Sequence, residues 1–217
     1  MSKTYEQFLD YVMPHVPGCP VELAVQAIRN TTIEFCERTL ILQRDHDPVT
    51  VVANVQDYDC EPPTGYLVHK VMKAWYKERE LTPFTPDQIS DAFAYRRKID
   101  GVTPNKTDPQ RFYQKDERTF SLHPWPVETV VEAVTMRVAL KPTRASTSVD
   151  DVIYEDWMDA IAAGALVRLQ MSPAKPYTLP NAAAINQQIY TQKLNEARQK
   201  AIRGHVRGNQ QIKLRRI

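Results

Sequence analysis

Glycine is scarce in this chain, and its cysteines fit neither a metal site nor a disulfide framework. Only 6 of the 217 residues are glycine, too few and too dispersed for a loop that cradles phosphate. The three cysteines, Cys19, Cys36 and Cys60, are odd in number and lack any CxxC spacing. This usage predicts reduced, partly buried thiols in a cytosolic setting rather than disulfides or a zinc site.

Long apolar runs and catalytic motifs are also missing. No apolar run approaches the ~20 residues that a membrane span needs, and the N-terminus leads into no apolar signal region. We therefore expect neither membrane insertion nor secretion. The Walker, GxGxxG, GxSxG and HExxH motifs are absent, as is any cluster of Cys and His. The sequence thus predicts no enzyme activity, no cofactor and no metal.

Three acidic groups could still bind a metal or act as a general base. They are Asp45-His46-Asp47, then Asp151, Glu155 and Asp159, and finally Glu128 with Glu132. We interpret the first group as a solvated loop between a helix and a strand. The second group recurs at four-residue spacing near a helix start, where acids are expected, so a solvated or inter-subunit face is favoured. The third group is interpreted as an exposed strand end.

Aromatic residues could stack nucleic-acid bases, but their spacing favours a core role. Tyr177, Tyr190 and Trp157 lie in or beside helical patterns, where such side chains usually pack inside. Cys36 follows Phe35 on an apolar helix face, which predicts an inert core thiol.

The apolar pattern changes period twice along the chain. Four-residue spacing predicts a half-buried helix from about 20 to 41, with proline at its first position. From Val49 the period becomes two, with strands predicted over about 66–77 and 126–140 and a hairpin over about 112–122. The capping-box pattern from Thr85 to Gln88 predicts a short helix over about 86–97. Helical period then returns: Asp150 or Asp151 is predicted to cap a helix that runs to about Met171, and a last helix is predicted from about 180 to 203, before Gly204.

These patterns predict an α+β fold. The N-terminal helix and two C-terminal helices form a helical base, a β-rich unit is inserted between them, and a flexible basic tail follows. The predicted parts are residues 1–47, 48–142, 143–204 and 205–217. Eight residues are predicted to pack the helical base: Ile28, Phe35, Trp157, Ile161, Ala165, Leu169, Tyr190 and Leu194.

Positive charge is concentrated near the C-terminus. Residues 193–217 carry eight Lys or Arg against the single acid Glu196, whereas the other 192 residues carry 20 basic and 25 acidic side chains. The last seven residues, 211–217, alternate apolar and cationic side chains, a pattern that suits strand addition or groove docking on a partner. An ordinary solvated terminus and an arm that binds nucleic acid through phosphate contacts remain the alternatives.

The order of packing residues resembles a known family. The first helix ends in Phe35-Cys36-Glu37-Arg38-Thr39, and Tyr58 precedes Pro62-Pro63 in the β-rich part. Residues 160–169 read AIAAGALVRL and are followed by Lys175-Pro176-Tyr177. Taken together, these features are similar to the head-to-tail adaptor (connector) proteins of tailed phages, especially the tail tubular protein A-like adaptors of short-tailed phages.

The resemblance implies a non-enzymatic structural protein of the virion, assembled in the host cytoplasm. It implies a twelve-fold ring below the portal that extends the DNA channel for genome ejection, without specific DNA binding, and a platform for tail or nozzle proteins. The helical base would contact neighbouring copies, and the β-rich unit would face outward or toward the tail. The residues implied to dock on the portal are Arg207, Gln211, Ile212, Lys213, Leu214, Arg215, Arg216 and Ile217. The alternative function is a nucleic-acid-binding module that uses the same basic segment.

Overall fold

A computed structural model describes residues 2–85 and 108–204, and these residues form two compact units. The helical unit contains the chain up to Ile41 and from Asp150 onward, and the β-rich unit contains Leu42–Val149. The α+β fold predicted from the sequence is confirmed. The short helix predicted over 86–97 and the tail 205–217 lie outside the described residues.

The helical unit is built on three long helices preceded by a short N-terminal segment. The long helix that begins at Asp151 packs against both of the other two. The N-terminal segment holds strand β1 (Ser2–Thr4), a 3-10 turn (Tyr5–Phe8), helix α1 (Leu9–Val12) and a second 3-10 turn (Met13–His15). The long helices are α2 (Val21–Thr39), α3 (Asp151–Gln170) and α4 (Pro180–Arg203).

The ends of these helices follow from local sequence. Pro20 is the extended residue before α2, with φ −61° and ψ 139°, so the prediction that it occupies the first helical position is wrong. Leu40 ends α2 in the left-handed region, at φ 55°. The side chain of Asp150 accepts a 3.1 Å hydrogen bond from the Val152 N–H and caps α3. Helix α4 ends before Gly204, as predicted.

The β-rich unit contains two four-stranded sheets. The strands are β2 (Gln43–Val51), β3 (Asp57–Asp59), β4 (Tyr66–Tyr76), β5 (Arg79–Glu80), β6 (Thr82–Pro83), β7 (Arg111–Gln114), β8 (Thr119–His123) and β9 (Val130–Pro142). The first sheet has the order β2-β9-β4-β5 and the second the order β3-β8-β7-β6. Among these described strands, only β6 and β7 pair in parallel. A tenth strand, β10 (Ser148–Asp150), leads into α3.

The hairpin predicted over 112–122 is confirmed, because β7 and β8 pair antiparallel across the turn at 115–118. The strands predicted over about 66–77 and 126–140 are present as β4 and β9, although β9 starts at Val130, later than predicted, and its pairing with β4 is irregular. In β4, shifts between Val68 and Lys70 and again between Val71 and Lys73 place Val71 in the core and leave Met72 half-buried. Bulges therefore interrupt the period of two along β4.

Strand β2 starts at Gln43, six residues earlier than the change of period at Val49 indicated. Asp45 pairs with Arg137 and His46 pairs with Met136 of β9. The prediction that Asp45-His46-Asp47 forms a loop is therefore wrong.

Each unit has its own apolar interior. Phe8, Ile28 and Ile153 are fully buried in the helical unit, and Val68 and Phe120 are fully buried in the β-rich unit. Across residues 2–85 and 108–204, no helix combines the length and apolarity that crossing a membrane requires.

Candidate interaction surfaces

Gly164 permits close packing of the three long helices. A Cβ atom at this position would lie 2.5 Å from Thr31 Cγ2 on α2 and 2.9 Å from Tyr190 Cε2 on α4. Both distances are shorter than van der Waals contact, so the absence of a side chain at Gly164 sets the spacing of α3 against its neighbours.

All eight side chains predicted to pack the helical base are buried, and the structure distributes them over α2, α3 and α4. Three are aromatic, and Phe35 adjoins the other two: its ring centroid lies 5.6 Å from that of Trp157 and 6.4 Å from that of Tyr190. Trp157 departs from helical geometry, with φ −130° and ψ 16°, and kinks α3. The full set, each 6% exposed or less, is Ile28, Phe35, Trp157, Ile161, Ala165, Leu169, Tyr190 and Leu194.

The C-terminal end of α4 is fastened to both other long helices. Lys200 Nζ lies 2.7 Å from Asp156 Oδ2 and 5.6 Å from the centroid of the Trp157 ring. The Arg198 side chain donates a 2.9 Å hydrogen bond from Nε to the main-chain oxygen of Arg38, near the end of α2. These contacts hold the last turns of α4 against α2 and α3.

Glu34 connects the outer faces of α2 and α3. One carboxylate oxygen lies 2.9 Å from Arg38 Nη1, and the other accepts from Arg168 Nη2. All three side chains are between 33% and 45% exposed, so this network contributes to specificity and solvation more than to stability.

The acidic groups singled out by the sequence have structural partners. Asp151 Oδ1 lies 3.8 Å and Glu155 Oε1 3.6 Å from Lys3 Nζ, which places them on a charged surface. His46 accepts a 3.0 Å hydrogen bond from the Glu61 N–H at Nε2, while its Nδ1 lies 2.6 Å from the Asp47 carbonyl oxygen. His46 therefore holds a loop against β2.

The third acidic group lies near the start of β9. Glu128 forms an ion pair with Lys77, and Glu132 adopts a left-handed φ of 53°. No set of three or more His, Cys, Asp and Glu side chains within the described ranges is arranged to hold a metal ion.

The three thiols are buried and unpaired with one another, as the sequence predicted. Burial raises the pKa of the Cys36 thiol to about 12 and that of the Cys60 thiol to about 12. Burial also raises the pKa of Tyr190, whose hydroxyl lies in the core of the helical unit. Groups held in their neutral form in this way are suited to packing rather than to nucleophilic chemistry.

The N-terminal segment is part of the core of the helical unit, although no prediction from the sequence placed it there. Tyr5, Phe8, Val12 and Val16 are all 1% exposed or less. The Phe8 ring packs edge-on against Tyr154 of α3 at 5.1 Å. Intervals of three and four residues between these side chains were a usable signal, but a proline-containing stretch with so short a helix gives no sustained periodicity.

Tyr177, treated as a core residue rather than a base-stacking platform, is 2% exposed. The residues assigned to portal docking lie outside the described part of the chain. They are Arg207, Gln211, Ile212, Lys213, Leu214, Arg215, Arg216 and Ile217.

Comparison with known proteins identifies the family. A search of curated proteins finds no match to the chain. A family model described as SU10 adaptor protein matches residues 3–212, which is nearly the full length and spans both units. The chain belongs to the SU10 adaptor protein family and is a phage head-to-tail adaptor, a component of the virion.

Proposed function

We propose that this adaptor assembles as a ring below the portal of a phage particle. The ring, twelve-fold by the resemblance of its sequence, extends the DNA channel used in genome ejection and provides the platform for tail or nozzle proteins. The match of the SU10 adaptor family over residues 3–212 carries this proposal. The role is structural, needs no cofactor or catalytic group, and begins with assembly in the host cytoplasm.

Surface charge of the helical base supports contacts with neighbouring copies. Acidic and basic side chains occur side by side on its surface, as in the Lys3 contacts with Asp151 and Glu155 and the Glu34 contacts with Arg38 and Arg168. Surfaces of mixed sign can select and orient a neighbour by charge complementarity. The excess of acidic over basic residues before residue 193 also disfavours strong phosphate contacts with passing DNA.

Residues 205–217 are proposed to be the arm that docks on the portal. Their charge and their alternation of Ile212, Lys213, Leu214 and Arg215 suit an extended segment in an apolar groove with acidic edges. The contacts of Arg198 and Lys200 support the proposal because they anchor the helix from which the arm starts.

The test compares portal rings mixed with the full chain and with a chain truncated after Gly204. We expect truncation to abolish stable binding in co-sedimentation. Two full-length variants distinguish apolar from electrostatic contributions to binding. In the first, Ile212, Leu214 and Ile217 are replaced by Ser; in the second, Lys213, Arg215 and Arg216 are replaced by Gln. Both variants should weaken binding, and only the second should change its salt dependence. Equal binding by the truncated and full chains would refute the docking arm.

The basic C-terminal region favours a second candidate, a nucleic-acid-binding module. Three of the basic residues in this region already contact other groups of the protein: Lys193 pairs with Glu196, Arg198 donates to the Arg38 carbonyl and Lys200 pairs with Asp156. Fewer cations are then available for phosphate contacts, so the adaptor role is the better supported.

A further inference from the structure

Four exposed valines form an apolar surface on the β-rich unit, here named the valine surface. Val52, Val55, Val127 and Val131 are 43%, 39%, 53% and 72% exposed. They lie on two segments that bond to each other: the Asn54 N–H donates to the Pro126 carbonyl and the Ala53 N–H to Thr129 Oγ1, both at 3.0 Å.

The backbone of the valine surface is held in place by hydrogen bonds and by a bulge. The Tyr58 hydroxyl accepts from the Val52 N–H at 3.3 Å and lies 2.8 Å from the Val55 carbonyl oxygen. At Val131, the irregular pairing of β2 with β9 and the left-handed φ of Glu132 form a bulge, a device that redirects side chains. A surface that is already ordered loses less entropy when it binds.

A second apolar surface lies on the helical unit, where α3 ends and α4 begins. Met171, Leu179, Ile185 and Ile189 are 63%, 48%, 61% and 41% exposed, and we name them the helical shoulder. The Leu179 N–H donates to the Gln170 carbonyl at 3.1 Å, and Asn186 Nδ2 donates to Gln170 Oε1 at 3.0 Å, so the two helices hold the shoulder together.

These two surfaces concentrate the exposed aliphatic side chains. Among the described residues, twelve large apolar side chains are exposed, and eight of them belong to the valine surface or the helical shoulder. Exposed apolar residues on monomeric proteins are usually scattered, whereas clusters mark interaction sites.

Charge at the two surfaces is complementary. None of the residues from 176 to 192 is charged, and the cation Lys175 lies in the loop that joins Met171 to Leu179. Glu132 is exposed and follows Val131 directly. In residues 2–85 and 108–204, neither Lys175 nor Glu132 has an ion-pair partner.

We infer that the helical shoulder of one copy packs on the valine surface of a second copy, with Lys175 paired to Glu132. This inference rests on the proposed ring, because a cyclic ring joins two different surfaces of the same chain at every contact. Burying aliphatic side chains from both partners supplies affinity, and the ion pair fixes the register.

Cysteine trapping on portal rings tests the contact in the full-length protein. A chain carrying Val131→Cys is mixed with one carrying Ile185→Cys, portal rings and a mild oxidant are added, and products are separated without reductant. We expect disulfide-linked dimers in the mixture. A chain that carries both substitutions should give a ladder of disulfide-linked oligomers. Neither single variant alone should cross-link, and the native thiols are buried. The matched control pairs Val131→Cys with Val152→Cys, an exposed valine outside both surfaces.

Charge exchange gives an independent readout. Glu132→Lys and Lys175→Glu should each weaken ring assembly by about tenfold, and the chain carrying both should recover. If the chain assembles normally on the portal, but no disulfide forms and the double charge exchange does not restore assembly, this contact is overturned and the proposed function stays intact. Failure of the unmodified chain to assemble with portal would overturn both.

Discussion

At the residue scale, Gly164 matters because of what surrounds it rather than because of its own flexibility. Its backbone is helical, and the volume that a methyl group would occupy is filled by Thr31 and Tyr190. Glycine inside a helix normally costs about 1 kcal/mol relative to alanine. Here that cost is offset by the close approach of α2 and α4.

Gly164→Ala should therefore destabilise the protein despite its better helix propensity. Overpacking costs about 1–3 kcal/mol, and the gain in propensity offsets about 1 kcal/mol of it. We expect a net loss of about 1 kcal/mol in the free energy of unfolding, measured by urea denaturation.

A second substitution distinguishes the overpacking caused by Gly164→Ala from the gain in helix propensity. Thr31→Ser removes the Cγ2 atom that lies nearest to where the alanine methyl group would be. The double variant should therefore be more stable than the sum of the two single effects indicates, since the residues are in direct contact. An increase in stability from Gly164→Ala alone would contradict this account.

At the element scale, α3 combines a defined start with an internal kink. Asp150 caps its first turn, and Trp157 interrupts its helical geometry further along. The kink coincides with the ring contacts of Trp157 to Phe35 and Lys200. The sequence narrows the cap to Asp150 or Asp151, whereas the kink depends on packing from other helices.

Asp150→Ala should cost about 1 kcal/mol of stability, because an N–H group of α3 loses its acceptor. Asp150→Asn is the matched control, since its side-chain oxygen can still accept from the Val152 N–H. Thermal unfolding of the two variants should show a clear decrease in midpoint for Ala and a small change for Asn. Equal decreases would assign the effect to lost charge instead of to the cap.

At the scale of the whole molecule, charge separates along the chain. The formal net charge of +2 combines a basic C-terminal region with a remainder in which acids outnumber bases. This distribution suits a protein whose body contacts its own kind while one segment reaches another partner.

Binding to duplex DNA should be weak and governed by few phosphate contacts. Residues 205–217 carry four Lys or Arg, so the slope of log K against log salt should be no steeper than about −3.6. Truncation after Gly204 should flatten it. Fluorescence anisotropy with a labelled duplex measures the affinity of the full and the truncated chain at each salt concentration. Nanomolar binding at physiological salt would instead support the nucleic-acid-binding module.

Local sequence signals were sufficient for the long helices and the β7–β8 hairpin. These signals depend on neighbours in the chain, so they can be read directly. They are the four-residue spacing of apolar side chains, an acidic cap of α3 at Asp150 or Asp151, and Gly204 after α4. The candidate docking segment 205–217 was likewise identified from charge and alternation, and it remains a prediction.

The bulged strands and the N-terminal segment could not be read in the same way. Val71 lies in the core and Met72 is only half-buried, because β4 shifts register against β9. Val131 is exposed because β9 bulges opposite β2. Register belongs to a pair of strands far apart in sequence, so a single strand does not contain the information.

The α+β class, the long helices and the basic C-terminus follow from the order of residues alone, since each depends on local periodicity or composition. Which apolar residues stay exposed depends instead on the packed chain, which gathers Val52, Val55, Val127 and Val131 onto paired segments. Burial is a property of the folded molecule: a valine is equally apolar in a core and on a surface, and its position becomes defined only when distant segments meet.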